Sequence, residues 1–175
     1  TGHLLWTDVD GKNCEHDYQD DVLAFVDVCR SWNVPCAIER SRSGNGAHVW
    51  IFFDSPVLAV KARKLGNAIL TEAMNRDGKI GFKSYDRFFP NQDTLPEGGL
   101  GNLVALPLQG NARKKGNSVF VNEFFEPYPD QWQYLLNLEK LSEQALEELL
   151  KQNANTMPLG NLSKTSESKP WEMPV

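Results

Sequence analysis

The stretch Cys36-Ala37-Ile38-Glu39-Arg40-Ser41-Arg42-Ser43-Gly44-Asn45-Gly46-Ala47-His48-Val49-Trp50-Ile51-Phe52-Phe53 organises the chain. Residues 36–40 read as a short strand, Ser43-Gly44-Asn45-Gly46 as a tight turn, and residues 47–53 as a second strand. Together they predict a β-hairpin. Towards the N-terminus, Val22, Phe25, Val26 and Cys29 recur at the i, i+3, i+4, i+7 spacing of a buried helical stripe. Asp17, Asp20 and Asp21 suit the start of that helix, where the macrodipole favours acids, and Asn33 and Pro35 close it. Residues 3–10 read as a strand already under way, which points to further chain upstream. Towards the C-terminus, Pro56 is placed to open a helix reaching about residue 76, with Val60, Lys64/Leu65 and Ile69 along it. Residues 79–85 predict another strand ending at Asp86. A loop rich in Pro, Gly and Asn then spans 89–102, and 103–108 predict a buried strand.

The predicted order is strand, helix, strand, strand, helix, strand. This is an α+β class fold of the split βαβ, ferredoxin-like or RRM-like, kind: an antiparallel sheet with helices on one face and the other face open for chemistry. A basic loop (Arg113, Lys114, Lys115), a strand at 118–121 and helices near 130–138 and 142–151 follow, the last capped at Ser142. The chain divides into a core (1–127), a helical extension (128–152) and a polar linker or tail (153–175).

With 175 residues, 41% of them hydrophobic, the chain can bury one ordinary core. No apolar run is long enough for a membrane span, and no basic segment followed by an apolar one opens the chain. Three cysteines suit a reducing compartment, so a cytoplasmic location is expected. The net charge of −5 is uneven: residues 8–27 hold seven acids and one base, leaving a mildly basic frame around an acidic knot. That pattern fits a metal site beside a phosphate-binding surface, and equally a solvated acidic helix start.

Asp8-Val9-Asp10 would put two carboxylates on one face of a strand. Such a pair suits a shared hard cation, Mg²⁺ or Mn²⁺, although a solvated turn explains the same three residues. In the turn, Gly44 and Gly46 would let backbone N–H groups converge on an anion, Ser43 adds a hydroxyl, and His48 shares the face of Trp50 and Phe52. An ordinary hairpin turn with an exposed histidine is the alternative. Asp86 supplies the third carboxylate that a two-metal site requires, with Asp93 as competitor. Cys14, His16, Cys29 and Cys36 lack the spacing of a zinc site.

Three runs in this order, Trp6-Thr7-Asp8-Val9-Asp10, Glu39 to Phe53, and Ser84-Tyr85-Asp86-Arg87-Phe88-Phe89-Pro90-Asn91-Gln92-Asp93, resemble the archaeo-eukaryotic primase superfamily. The chain looks most similar to the primase-polymerase domains of TOTE conflict systems and of CRISPR-associated primase-polymerases. Gly101-Asn102-Leu103-Val104-Ala105-Leu106-Pro107-Leu108-Gln109 and Pro127-Tyr128-Pro129-Asp130-Gln131-Trp132 extend the resemblance over roughly residues 4–150.

The resemblance implies template-dependent synthesis of DNA or RNA from dNTPs or NTPs by a two-metal mechanism. Asp8, Asp10 and Asp86 match the metal-binding, catalytic carboxylates. Ser43, Gly44, Asn45, Gly46 and His48, with Arg42, match the nucleotide-binding motif. Arg40, Arg113, Lys114 and Lys115 are candidates for phosphate or nucleic-acid contacts. Implied partners are a single-stranded or primed template and neighbouring helicase, nuclease or CRISPR adaptation proteins. Two positions depart from the pattern: Gly46 stands where many members carry serine, and Gln109 where a lysine is expected. The competing classes are a ligase-associated type of repair polymerase, which shares the acid–glycine–histidine pattern, and a non-catalytic RRM-like nucleic-acid-binding module, which would not need the acids. Trp50 and Phe52 suit core packing, or stacking of a base.

Overall fold

The structure, a computed structural model, describes residues 2–10, 17–76, 85–90 and 105–154; for residues 10 and 85–87 the description is of the backbone. In chain order come β1 (Gly2–Asp10), α1 (Tyr18–Ser31), β2 (Ala37–Arg40), β3 (Gly46–Val57), α2 (Ala59–Arg76), β4 (Tyr85–Phe89), the one-turn α3 (Gly110–Arg113), β5 (Phe120–Val121), α4 (Gln131–Leu136) and α5 (Glu143–Gln152). The strands form one antiparallel sheet in the order β4-β1-β3-β2-β5.

Local chemistry explains the helix starts. The Asp17 carboxylate accepts from Gln19 N, the Asp130 carboxylate from Trp132 N and Gln133 N, and Ser142 Oγ from Ala145 N, each satisfying N–H groups that the first helical turn leaves unpaired. Alternation along the strands sorts the sheet into two faces. Leu5, Thr7, Val9, Val49, Ile51, Phe53 and Phe88 share the face that α1 and α2 cover, and those on β1 and β3 are all buried. Trp6, Asp8, Glu39, His48, Trp50, Phe52 and Phe89 share the other. Tyr134 of α4 packs on Phe120 over the far part of that second face, with ring centroids 5.4 Å apart. On the opposite side of the sheet, Lys61 of α2 pairs with Glu143 and Glu147 of α5 at 3.2 and 2.6 Å.

Several sequence expectations change. Pro56 lies in β3, and α2 starts at Ala59. The β1 register slips between Gly2 and Leu4, whose partners are Val57 and Phe52, so the proline occupies an irregular stretch in which its missing N–H costs no ladder bond. Val60 is exposed; the buried stripe of α2 runs instead through Ala59, Ala62, Leu65, Gly66, Ile69 and Ala73. The fourth strand is Tyr85–Phe89, so Asp86 sits inside it; residues 79–84 lie outside the described residues. Residues 105–108 are not a strand. Leu106 is exposed, Leu108 has φ +64°, and Pro107 lacks a ladder N–H. The sheet edge beside β2 is taken by β5. Residues 103 and 104, and most of the 89–102 loop, lie outside the description. Arg113 ends α3, and Lys114 and Lys115 form the turn after it.

Gly66 fixes how closely α2 approaches β4. A Cβ there would lie 2.8 Å from Phe88 Cε1 and 2.9 Å from Cδ1. Phe88 is itself wedged against Phe25 of α1, with centroids 6.3 Å apart. We expect Gly66→Ala to gain about 1 kcal/mol of helix propensity and lose about 2 kcal/mol to overpacking. The net effect is a melting temperature lower by about 3 °C in calorimetry. Phe88→Leu in the same chain should restore most of it; a loss that Phe88→Leu leaves unchanged would place the strain elsewhere.

Candidate active site

A single row of residues crosses the sheet. Arg87 on β4 pairs with Asp8 on β1, Asp8 with His48 on β3, His48 with Glu39 on β2, and Glu39 with Phe120 on β5. Because the sheet is antiparallel and in register along this line, side chains distant in sequence meet.

His48 is at the centre of the row. Its Nδ1 lies 3.0 Å from Glu39 Oε2, and its Nε2 lies 3.5 Å from Asp8 Oδ1. Trp6 packs edge-on against the ring at 4.6 Å. Glu39 is 1% exposed. Trp50 Nε1 donates to its Oε2 at 2.7 Å, and Ser118 Oγ donates to its Oε1 at 3.0 Å. An indole N–H can only donate, so this carboxylate acts as acceptor, and the bond to His48 carries its proton on Nδ1. That arrangement assigns the ring's orientation and leaves Nε2 as the nitrogen facing Asp8.

Sequence reasoning missed Glu39. The available signal was an acid inside the apolar strand Cys36-Ala37-Ile38, at the position where the hairpin sets it opposite His48. A charged residue in that place needs partners to be buried.

Asp8 is partly exposed, with 27% of its side chain open, and hard carboxylate oxygen at a strand position of this kind is suitable donor chemistry for Mg²⁺ or Mn²⁺. Asp10 follows two residues later on β1, opposite Gly46. On β4, Arg87 pairs with Asp8 and Tyr85 with Val9, so Asp86 is the extra residue of a register irregularity directly beside Asp8 and Val9. The backbone thus brings positions 8, 10 and 86 onto two neighbouring strands. The side chains of Asp10 and Asp86, and all of Asp93, lie outside the described residues. Among the described residues no three ligand side chains cluster.

The glycine turn is built differently from a phosphate nest. Gly44 N donates to Ser41 O at 3.0 Å, and Asn45 N donates to Ser43 Oγ at 3.2 Å. Those two amides are therefore spent inside the turn. Ser43 Oγ also lies 3.1 Å from Ser41 Oγ. Gly44 has φ +83°, a conformation that favours glycine, and a Cβ there would sit 2.9 Å from the end of the Asn117 side chain, which could shift to make room. Asn117 Nδ2 reaches Arg42 O at 3.4 Å.

Arg40 is engaged elsewhere. Its guanidinium donates to Gly116 O at 2.7 Å and to Phe125 O, tying the 113–125 segment to the hairpin. Arg42, Arg113, Lys114 and Lys115 are exposed. Trp50 is fully buried and stacks between Trp6 at 5.6 Å and Phe52 at 5.9 Å, so these rings pack the core of the site face. The expected open face is therefore closed at Trp50. Trp6 Nε1 is a buried donor with no partner in the described structure. Cys29 is buried, which raises its thiol pKa, and the hydrogen bond from Cys29 lowers that of Cys36. Cys14 and His16 lie outside the described residues.

Residues 1–149 match the family model of the archaeo-eukaryotic primase domain of the TOTE conflict system. The chain belongs to that family, whose members point to a primase-polymerase type of nucleotidyltransferase and typically use divalent metals. No curated protein matches it. No helix among the described residues is long and apolar enough to cross a membrane.

Proposed function

We propose that this domain is a template-dependent nucleotidyltransferase, a primase-polymerase that joins nucleoside triphosphates into DNA or RNA. The observation that supports it best is the row Asp8–His48–Glu39, with positions 10 and 86 on the same two strands as Asp8 and its β4 neighbour. We read β4-β1-β3-β2 with its two crossover helices as the split βαβ, RRM-like core of such an enzyme, and α4 and α5 as its C-terminal helical addition.

Asp8, Asp10 and Asp86 would hold Mg²⁺ or Mn²⁺, which when bound makes a 3′-hydroxyl more acidic and neutralises the pyrophosphate that leaves. Positions 8 and 10 lie two residues apart on β1, which suits a cation shared between them. His48, oriented by Glu39, donates from Nε2 to a phosphate oxygen when the ring carries both protons. With the Gly44 and Asn45 backbone amides engaged, the exposed side chains of Arg42, Ser43 and Asn45 are left to reach the triphosphate. The basic side chains at 113–115 border the same turn and face the nucleic-acid phosphates. The template is single-stranded or primed, and the domain works beside helicase, nuclease or CRISPR adaptation proteins.

The test is incorporation of labelled dNTPs or NTPs on a single-stranded template, with and without primer, in Mg²⁺ or Mn²⁺. Activity should vanish with EDTA and return with excess Mn²⁺. His48→Ala should raise the KM for nucleotide about tenfold, the magnitude of one lost charge-assisted hydrogen bond, while leaving template affinity within about twofold. An unchanged KM would remove His48 from the triphosphate. No incorporation by the intact chain under any of these conditions would remove the polymerase reading itself.

A further inference from the structure

Beyond the row of acids and histidine, one exposed surface combines an aromatic ring with clustered cations. Trp132, in the first turn of α4, is 56% exposed, and the Arg113 guanidinium lies over its ring, 5.8 Å from the centroid. Lys114 and Lys115 follow Arg113 and are exposed.

This surface is fixed at both ends to the site. On one side, Gly116 accepts from Arg40, Asn117 lies against Gly44, and Ser118 reaches Glu39, so the basic turn is tied to the glycine turn. On the other side, the Gln131 amide grips β5: its Oε1 accepts from Phe120 N at 2.6 Å and its Nε2 donates to Phe120 O at 2.8 Å. Phe120 pairs with Glu39, so Trp132 follows directly from the end of the Asp8–His48–Glu39–Phe120 line. Three strand spacings of about 4.8 Å separate Asp8 from Phe120, about 14 Å in all. The first turn of α4 carries no acid, and the Asp130 carboxylate just before it accepts from Trp132 N and Gln133 N as the cap.

We propose that Trp132, Arg113, Lys114 and Lys115 form a landing platform for single-stranded nucleic acid. One base stacks on the Trp132 ring, and the three cations take the flanking phosphates. The charge complementarity is direct, and an exposed indole beside arginine is a sequence-tolerant site because every base has a π-face. The assignment of this strand as the template rests on the polymerase reading. The binding itself does not.

The test is fluorescence anisotropy of a labelled single-stranded oligonucleotide with the full chain, in EDTA and without nucleotide. Trp132→Ala should weaken binding about tenfold and Trp132→Phe less than about threefold, because the phenyl ring still stacks. Replacing Arg113, Lys114 and Lys115 together by Gln should flatten the log K against log salt slope by about 2, at about 0.7 for each phosphate that is no longer neutralised. Phe124→Ala removes an even more exposed aromatic (82%), on the turn that also bears Glu123, the partner of Arg30 on α1, and should leave binding unchanged.

Three results would each overturn the platform: equal affinity in Trp132→Ala, equal loss in Phe124→Ala, or full competition by polyglutamate at matched charge. The last would indicate an acidic protein partner. Loss of incorporation without loss of binding in these variants would count against the platform and leave the polymerase reading intact. Loss of binding in these variants of a chain whose wild type is inactive would do the reverse.

Discussion

Replacing Asp8 and Asp10 together by alanine should lower nucleotide incorporation by at least about 10³-fold and leave the fold in place. Carboxylates that hold a catalytic cation stabilise charge in the transition state by several kcal/mol, and each 1.36 kcal/mol is about a factor of ten. The stability cost is small by comparison, because the Asp8 side chain is 27% open to solvent and its 3.5 Å approach to His48 Nε2 is longer than a good hydrogen bond. The melting temperature should move by no more than about 3 °C, that is about 1 kcal/mol. Single-turnover extension of a labelled primer, together with a melting curve of the same preparation, checks both halves. Extension at the wild-type rate would show that the acids on β1 are not the catalytic ones.

Glu39→Ala should instead show itself first in stability. The substitution strands three donors at once, the part-buried His48 Nδ1 and the buried Trp50 Nε1 and Ser118 Oγ, around a carboxylate 1% exposed. Each orphaned group costs about 1–3 kcal/mol, and a broken buried network about 3–5 kcal/mol. A fall of about 10–15 °C in melting temperature is expected. Glu39→Gln discriminates between charge and geometry. Its amide oxygen can accept from His48 and Trp50 while its NH₂ donates to Ser118, whose hydroxyl turns to accept. That variant should lose only about 1 kcal/mol and keep the nucleotide KM within about threefold of wild type. A Glu39→Ala chain that melts with the wild type would mean the network contributes nothing. A Glu39→Gln chain that keeps its stability but loses nucleotide affinity as strongly as His48→Ala would mean that the charge on Glu39, not the ring orientation, matters.

Much of this was legible in the residues themselves. The hairpin around Ser43-Gly44-Asn45-Gly46, the α1 stripe from Val22 to Cys29 and the Ser142 cap follow from local periodicity and turn chemistry, which depend on neighbours along the chain. Asp8 and His48 stood out because carboxylate and imidazole on strand positions are costly without a purpose. Other features were not legible. Pro56 reads locally as a helix start, yet pairing with β1 carries β3 past it. Residues 105–108 belong to a stretch with a strand's composition, but the sheet edge beside β2 belongs to β5. The glycine turn looks like an anion nest until its amides are followed to Ser41 O and Ser43 Oγ.

The sequence by itself determined the family, the hairpin, and the identity of the acids and the histidine, because these rest on residue type and short-range spacing. Only the tertiary structure decided that Glu39 orients His48, that Arg40 is a clamp for the 113–125 segment, and that Trp132 lies over Arg113. These are pairings between residues 9 to 85 positions apart, brought together by sheet register and helix packing, and no local pattern encodes a register.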